Sequence, residues 1–102
     1  DNDFGRSAYS SSKAALNSIS KVMSKELSRF NIRVNVIAPG LVDTQMMRGK
    51  TEEKYLNDTI NKLNVKRIAT PKEISKLAIY LASDDSSYVS GEIIRIDGGM
   101  GS

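Results

Sequence analysis

The chain has 102 residues, of which 39% are hydrophobic and 26% charged, a balance typical of one small globular domain rather than a disordered segment. Its net charge is +3, but the basic residues are scattered and aromatic residues make up only 6%, which argues against a nucleic-acid-binding surface. Cysteine and histidine are absent. That excludes disulfides, thiolate metal sites and a Ser-His nucleophile, so we expect no metal and a reducing, cytoplasmic location.

The first residues are already polar and contain no initiator methionine, so we expect a piece of a longer protein. No apolar run approaches the roughly 20 residues of a membrane span, and no signal peptide is recognisable. Residues 1–8 are predicted to be a loop, with Ser7 as the N-cap of a helix that runs to about Arg29. The apolar residues of this helix recur at steps of three and four and form one stripe: Leu16, Ile19, Met23, Leu27 and Phe30.

Tyr9 and Lys13 stand four residues apart at the start of this helix, which places them one above the other on the same face. A neighbouring ammonium favours phenolate over phenol and should lower the tyrosine pKa from its usual value of about 10. Such a tyrosine can give a proton to a carbonyl oxygen or remove one from an alcohol. Taken alone, the pair is better explained as a chance spacing, because tyrosine and lysine both recur along this chain.

The helix is predicted to end at Asn31, and a short β-branched strand follows over residues 33–38. Pro39-Gly40 should end that strand, since proline cannot donate to the ladder and glycine permits a sharp backbone path. A polar insert over about residues 45–64 comes next, with a helix beginning near Glu52. Inserts of this kind are often mobile and often act as lids.

The sequence Thr70-Pro71-Lys72-Glu73 predicts a helix start with a capping box. The buried face of that helix is predicted to comprise Ile74, Leu77, Ala78 and Leu81. A second strand over residues 92–96 and a turn at residues 97–99 complete the order helix, strand, insert, helix, strand. Two strands joined by a long crossover predict a parallel βαβ unit. Such a sheet needs further strands and cover on both faces, which again suggests that more of the fold lies elsewhere.

Three segments together resemble the C-terminal half of short-chain dehydrogenases/reductases, and in particular the 3-oxoacyl-acyl-carrier-protein reductases. They are Tyr9-Ser-Ser-Ser-Lys13-Ala-Ala-Leu16, Arg33-Val-Asn-Val-Ile-Ala-Pro-Gly40 with Thr44, and Gly91-Glu-Ile-Ile-Arg-Ile-Asp-Gly-Gly99. The resemblance covers nearly the whole chain and is specific in the order and spacing of its motifs. It implies an α/β fold, the C-terminal part of a Rossmann-like doubly wound parallel sheet that is incomplete on its own. Residues 1–102 would form part of one NAD(P)-binding domain.

The resemblance also implies functions for individual residues. Tyr9 matches the general acid/base, and Lys13 matches the residue that lowers its pKa and binds the ribose of NADP or NAD. Pro39 and Gly40 match the turn beside the nicotinamide ring, and Val42 matches the position whose backbone bonds to the carboxamide. Thr44 matches a residue near the carboxamide and the diphosphate, and about residues 45–64 match the substrate-binding loop. The implied reaction is hydride transfer between NAD(P)H and a carbonyl or alcohol, free or carrier-bound. The intact protein would be a homotetramer or homodimer without nucleic-acid or membrane partners.

Some family features fall outside these residues. The glycine-rich phosphate loop, the residue that selects NAD or NADP, and the catalytic serine and asparagine would all lie before Asp1. Enoyl reductases of the superfamily usually have six residues between tyrosine and lysine, and position 16 is Leu16, so the carbonyl-reductase spacing holds. The alternative is a non-catalytic module that only packs, oligomerises or binds. By itself the chain is expected to be inactive.

Overall fold

The structure is a computed structural model that describes the backbone of residues 2–43 and 52–100, and the side chains within those ranges from Lys13 onward. Its elements are helices α1 (Asn2–Leu27), α2 (Glu53–Asn61) and α3 (Pro71–Ala82), and strands β1 (Val36–Pro39) and β2 (Ile93–Ile96). Short 3₁₀ segments follow α1 and α3. The described part of the chain is therefore α/β, in the predicted order.

Helix α1 begins at Asn2, so the predicted loop over residues 1–8 and the N-cap at Ser7 are wrong. Gly5 and Ser7 disfavour a helix interior by no more than about 1 kcal/mol each, which the rest of the long helix can outweigh. The predicted end is confirmed: Asn31 adopts a left-handed conformation, with φ of 59°, and its N–H donates to the Ser28 carbonyl at 2.9 Å.

Strands β1 and β2 pair in parallel, as predicted. The Val36 N–H donates to the Glu92 carbonyl at 2.8 Å, and four residues further along both strands the Gly40 N–H donates to the Ile96 carbonyl at 3.2 Å. Strand β1 starts three residues later than predicted and includes Pro39 as its last residue. The connection from β1 to β2 carries α2 and α3, which is the crossover that a parallel pair requires.

The chain divides into two compact units. The first comprises residues 1–36 and 86–93. Within it, the Arg33 guanidinium donates to the Ser86 carbonyl at 2.8 Å, the Ser86 hydroxyl at 3.0 Å and the Val89 carbonyl at 3.1 Å. The Asn35 side chain donates to the Val89 carbonyl at 3.0 Å and accepts from the Glu92 N–H at 3.1 Å. These hydrogen bonds link the segment that precedes β1 to the segment that precedes β2.

The second unit comprises residues 37–85 and 94–102. Helix α3 begins with the predicted capping box of Thr70 and Glu73, and Pro71 opens its first turn. The buried hydrophobic residues of the described chain are Leu63 and Ala38. The predicted buried face of α3 is wrong: three of its residues are half-buried and Ala78 is exposed. The described sheet has two strands, which is too narrow to cover a helix face.

Helix α1 likewise leaves its apolar stripe uncovered. Leu16 is 57% exposed and Ile19 56% exposed, and Phe30 in the 3₁₀ segment after the helix is 60% exposed. Solvent-exposed apolar rows of this length on a helix are typical of surfaces that pack against other elements. No helix in the described part of the chain is both long and apolar enough to cross a membrane.

Candidate functional site

Tyr9 and Lys13 lie on one continuous α-helix, because the α1 backbone is helical from Asn2 to Leu27. Their separation of four residues therefore places both Cβ atoms on the same face of the helix. The Lys13 side chain is exposed. The side chain of Tyr9 lies outside the described side chains. The structure thus supports the helical spacing of the pair and leaves their side-chain contact as a prediction.

Pro39, Gly40 and Val42 lie together at the carboxyl end of β1. Val42 forms an isolated parallel bridge with Ala69, in which the Ala69 N–H donates to the Leu41 carbonyl at 3.0 Å and the Asp43 N–H donates to the Ala69 carbonyl at 2.8 Å. In such a bridge the N–H and C=O of the central residue point to the opposite edge. Among the described residues, neither backbone group of Val42 has a hydrogen-bond partner. Thr44, the remaining predicted site residue, lies outside the described residues.

Glycine is required at position 40 because Asp97 lies too close to leave room for a side chain. A Cβ placed there would lie 2.8 Å from the Asp97 Cβ and 2.9 Å from the Asp97 Cα, which is closer than real Cβ contacts allow. The φ angle of Gly40 is not positive, so close packing rather than backbone conformation demands glycine. The prediction that Gly40 contacts a cofactor therefore needs support other than the absence of a Cβ.

The turn after β2 is held by contacts within the protein. The Asp97 carboxylate accepts from the Arg95 guanidinium at 2.9 Å and from the Gly99 N–H at 3.0 Å, and the hydrogen bond from Arg95 is the main cause that lowers the Asp97 pKa. The Gly98 carbonyl accepts from the N–H groups of Asn64 and Val65, both at 2.9 Å. These hydrogen bonds give the turn a structural role within the second unit.

Arg67 and Glu73 form an ion pair that the sequence analysis missed. The guanidinium donates to both carboxylate oxygens, at 2.7 and 2.8 Å, which is the two-pronged geometry that arginine favours. The hydrogen bond from Arg67 is the largest cause that lowers the Glu73 pKa to about 2. From the sequence, Glu73 is predicted only as a helix-start residue. An arginine shortly before a Thr-Pro-x-Glu cap is the signal that could have found the pair.

A cavity of about 190 Å³ lies beside this ion pair, entirely within the second unit. Its lining is mainly apolar, with the ion pair and Asp97 as the charged groups. The lining residues are Leu41, Leu63, Val65, Arg67, Ala69, Glu73, Ile96, Asp97 and Gly98.

The predicted site residues fall into two groups. Tyr9 and Lys13 belong to the first unit, and Pro39, Gly40 and Val42 belong to the second. Each group is formed by one local segment, a helix in the first case and a strand end in the second. The described residues contain no cluster of acidic, histidine or cysteine side chains that could hold a metal ion.

A sequence model for the family described as Enoyl-(Acyl carrier protein) reductase matches residues 4–101. The chain belongs to the short-chain dehydrogenase/reductase family. Among the relatives of this chain, the 3-oxoacyl-acyl-carrier-protein reductase of Chlamydia muridarum is 42% identical over 96 residues, which cover 94% of this chain and 38% of that protein. The enzyme of the same name from Mycobacterium tuberculosis is 40% identical over 93 residues, which cover 91% of this chain and 37% of that protein.

Solved structures of the family match as well. A 3-oxoacyl-acyl-carrier-protein reductase from Brucella melitensis superposes with a TM-score of 0.84 at 30% identity, covering 90% of this chain and 34% of that one. A 4-hydroxyisoleucine dehydrogenase mutant complexed with NADH and succinate gives 0.83 at 33% identity, covering 93% and 40%. The chain therefore spans about two fifths of the length of its short-chain dehydrogenase/reductase relatives.

Proposed function

We propose that residues 1–102 form the C-terminal part of a Rossmann-like, doubly wound domain that transfers a hydride between NAD(P)H and a carbonyl or alcohol. A 3-oxoacyl group on an acyl carrier protein is the leading substrate. The observation that carries the proposal is the Tyr9–Lys13 spacing on one helix, in a chain 42% identical to a 3-oxoacyl-acyl-carrier-protein reductase across 94% of its length. The exposed apolar stripe of α1 supports the view that further parts of the domain, or a second subunit, cover this helix.

In this proposal Tyr9 protonates the substrate oxygen during reduction and accepts that proton during oxidation. Lys13 favours the phenolate form of Tyr9 electrostatically and binds the ribose of the cofactor. The bound nicotinamide supplies the hydride that the carbonyl carbon accepts. Residues 45–64 form the substrate loop, and α2 lies inside that range.

The cofactor fits what the second unit offers. A carboxamide carries both hydrogen-bond donors and an acceptor, and the Val42 backbone presents one N–H and one C=O without partners among the described residues. Ligands of open α/β sheets bind beyond the carboxyl ends of the strands, where Val42 stands. Pro39, Gly40 and Thr44 would complete the contacts to the ring and the diphosphate. NADP is favoured over NAD, and a homotetramer or homodimer is the expected assembly.

The matching family model is named for enoyl reduction, whereas the most similar characterised relatives named above are 3-oxoacyl reductases. Three residues separate Tyr9 from Lys13, whereas enoyl reductases of the superfamily usually have six residues between this tyrosine and lysine. The shorter spacing therefore favours carbonyl reduction. Assays with a 3-oxoacyl and an enoyl thioester distinguish the two. Turnover of the enoyl substrate alone would refute the carbonyl assignment.

The decisive variant is Tyr9→Phe in the intact protein. Turnover should fall by roughly 10² to 10⁴, the usual contribution of a positioned acid/base, while NAD(P)H binding survives. Tyr88→Phe is the matched control, because Tyr88 is fully exposed and loses the same hydroxyl. Unchanged turnover in Tyr9→Phe would refute the proposal.

The second candidate is a non-catalytic module that packs or oligomerises through the exposed stripe of α1. For the 102 residues alone we expect neither turnover nor tight nucleotide binding, which a fluorescence titration with NADPH measures. A non-catalytic module would show neither turnover nor tight nucleotide binding in the intact protein either. The proposed enzyme would show both in the intact protein, and this difference separates the two candidates.

A further inference from the structure

The connection between α2 and α3 contains a group of contacts that we call the 67–73 clamp: Arg67, Ala69, Thr70 and Glu73. Its centre is the Glu73 carboxylate, which accepts both prongs of the Arg67 guanidinium. The same carboxylate accepts from the Thr70 N–H at 2.9 Å, and the Thr70 hydroxyl accepts from the Glu73 N–H at 3.2 Å. Arg67, Thr70 and Glu73 are thus held in one arrangement.

This arrangement determines the position of Ala69, which lies between Arg67 and Thr70. Thr70, directly after Ala69, and Arg67, two residues before it, are both hydrogen-bonded to Glu73, and these bonds restrict the backbone on either side of Ala69. Its N–H and C=O bond to Leu41 and Asp43. These two bonds flank Val42 and direct its own N–H and C=O to the opposite edge.

We infer that Arg67 and Glu73 are positioning residues for the nicotinamide end of the cofactor, acting through Ala69 on Val42. The inference rests on the proposed function, in which the Val42 backbone binds the carboxamide. An exposed ion pair adds little to stability in general, and the side chains of Arg67 and Glu73 are 55% and 38% exposed. The ion pair sits beside the one backbone segment whose orientation the carboxamide contact requires.

The variants are chosen to break the ion pair while leaving α3 capped. Glu73→Gln removes the charge, but glutamine at this position still serves a capping box. Arg67→Lys keeps the charge but loses the two-pronged geometry, since lysine is not equivalent at such sites. Lys72→Gln is the matched control, because Lys72 is an exposed basic residue in the first turn of α3 and lies outside the clamp.

The experiment measures two dissociation constants in the intact protein. One is for whichever of NADH and NADPH binds more tightly. The other is for ADP-ribose or 2′-phospho-ADP-ribose, which lacks the nicotinamide. In Glu73→Gln and Arg67→Lys the dinucleotide should bind roughly threefold to tenfold more weakly, the range expected for a weakened neutral hydrogen bond. The ADP-ribose ligand should bind as before, and Lys72→Gln should change neither constant.

Two results would overturn the inference while leaving the proposed function standing. If both ligands weaken equally, the clamp is a general structural element and does not position the nicotinamide. If neither weakens, Val42 does not depend on the clamp. A protein without substitutions that binds neither ligand would refute the proposed function as well, so the two failures are distinguishable. Unchanged ADP-ribose binding also demonstrates that each variant is folded.

Discussion

Gly40 lies against the backbone and Cβ of Asp97, at the point where β1 and β2 end side by side. The Gly40 N–H donates to the carbonyl of Ile96 at 3.2 Å, so the close approach is fixed by the last bond of the sheet. The glycine that family resemblance assigns to the cofactor is therefore also required by the fold. Stability and cofactor affinity must be measured separately at this position.

Gly40→Ala should destabilise the intact protein by about 1–3 kcal/mol, the usual cost of an overpacked site. Relief is difficult because two of the nearest atoms belong to the Asp97 backbone. Urea unfolding measures the change, with Ser75→Ala on the exposed surface of α3 as the control. Unaltered stability would mean that Asp97 can move away without cost.

Glu73 should make stability depend on acid pH. Its pKa in the folded protein is about 2, lowered from an ordinary value of 4.5, so its stabilising contribution is present above pH 4.5 and is lost as the pH falls toward 2. Because an exposed ion pair adds little to stability, the melting temperatures of the unchanged protein and of Glu73→Gln should differ by a small amount above pH 4.5 and converge near pH 2. A constant difference across this range would contradict the assignment. Comparing the two proteins removes the background from Asp97, whose pKa is also lowered.

Arg33→Lys should destabilise the protein by about 2 kcal/mol, because hydrogen bonds from a charged donor are among the stronger ones. Lysine cannot reproduce the contacts of the Arg33 guanidinium with Ser86 and Val89, and Ser86 is only 1% exposed. Thermal unfolding measures the effect. Arg29→Lys is the control, since Arg29 is exposed and lies over the Phe30 ring, where a lysine also places a cation. Equal melting temperatures for the two variants would contradict the prediction.

Lys13→Met tests the electrostatic role that the proposed function gives to the ammonium. Without that charge the phenolate of Tyr9 is less favoured, so alcohol oxidation should reach its half-maximal rate at a higher pH. The measurement is a pH–rate profile at saturating cofactor, which separates this effect from weaker ribose binding. Lys21→Met, two turns further along the same helix and exposed, is the control. A lower rate with an unmoved profile would leave Lys13 with cofactor binding alone.

Features determined by neighbouring residues could be predicted from the sequence. The capping box of Thr70 and Glu73 and the helix end at Asn31 depend on a few consecutive residues, and the structure confirms both. The start of α1 could not be predicted, because Gly5 and Ser7 carry only a small local preference against the helix. The same local logic placed Tyr9 and Lys13 on one helix, and family resemblance led to the family to which the chain belongs.

Other features depend on segments that are far apart in the chain, and only the tertiary structure decided them. The packing of Gly40 against Asp97 and the bridge between Val42 and Ala69 join such segments. Hydrophobic periodicity reports which face of an element is apolar, but it does not determine which distant residue lies against it or whether that face is covered. For this reason the apolar stripe of α1 was predicted correctly as a pattern, while its exposure and the clamp beside Val42 appeared only in three dimensions.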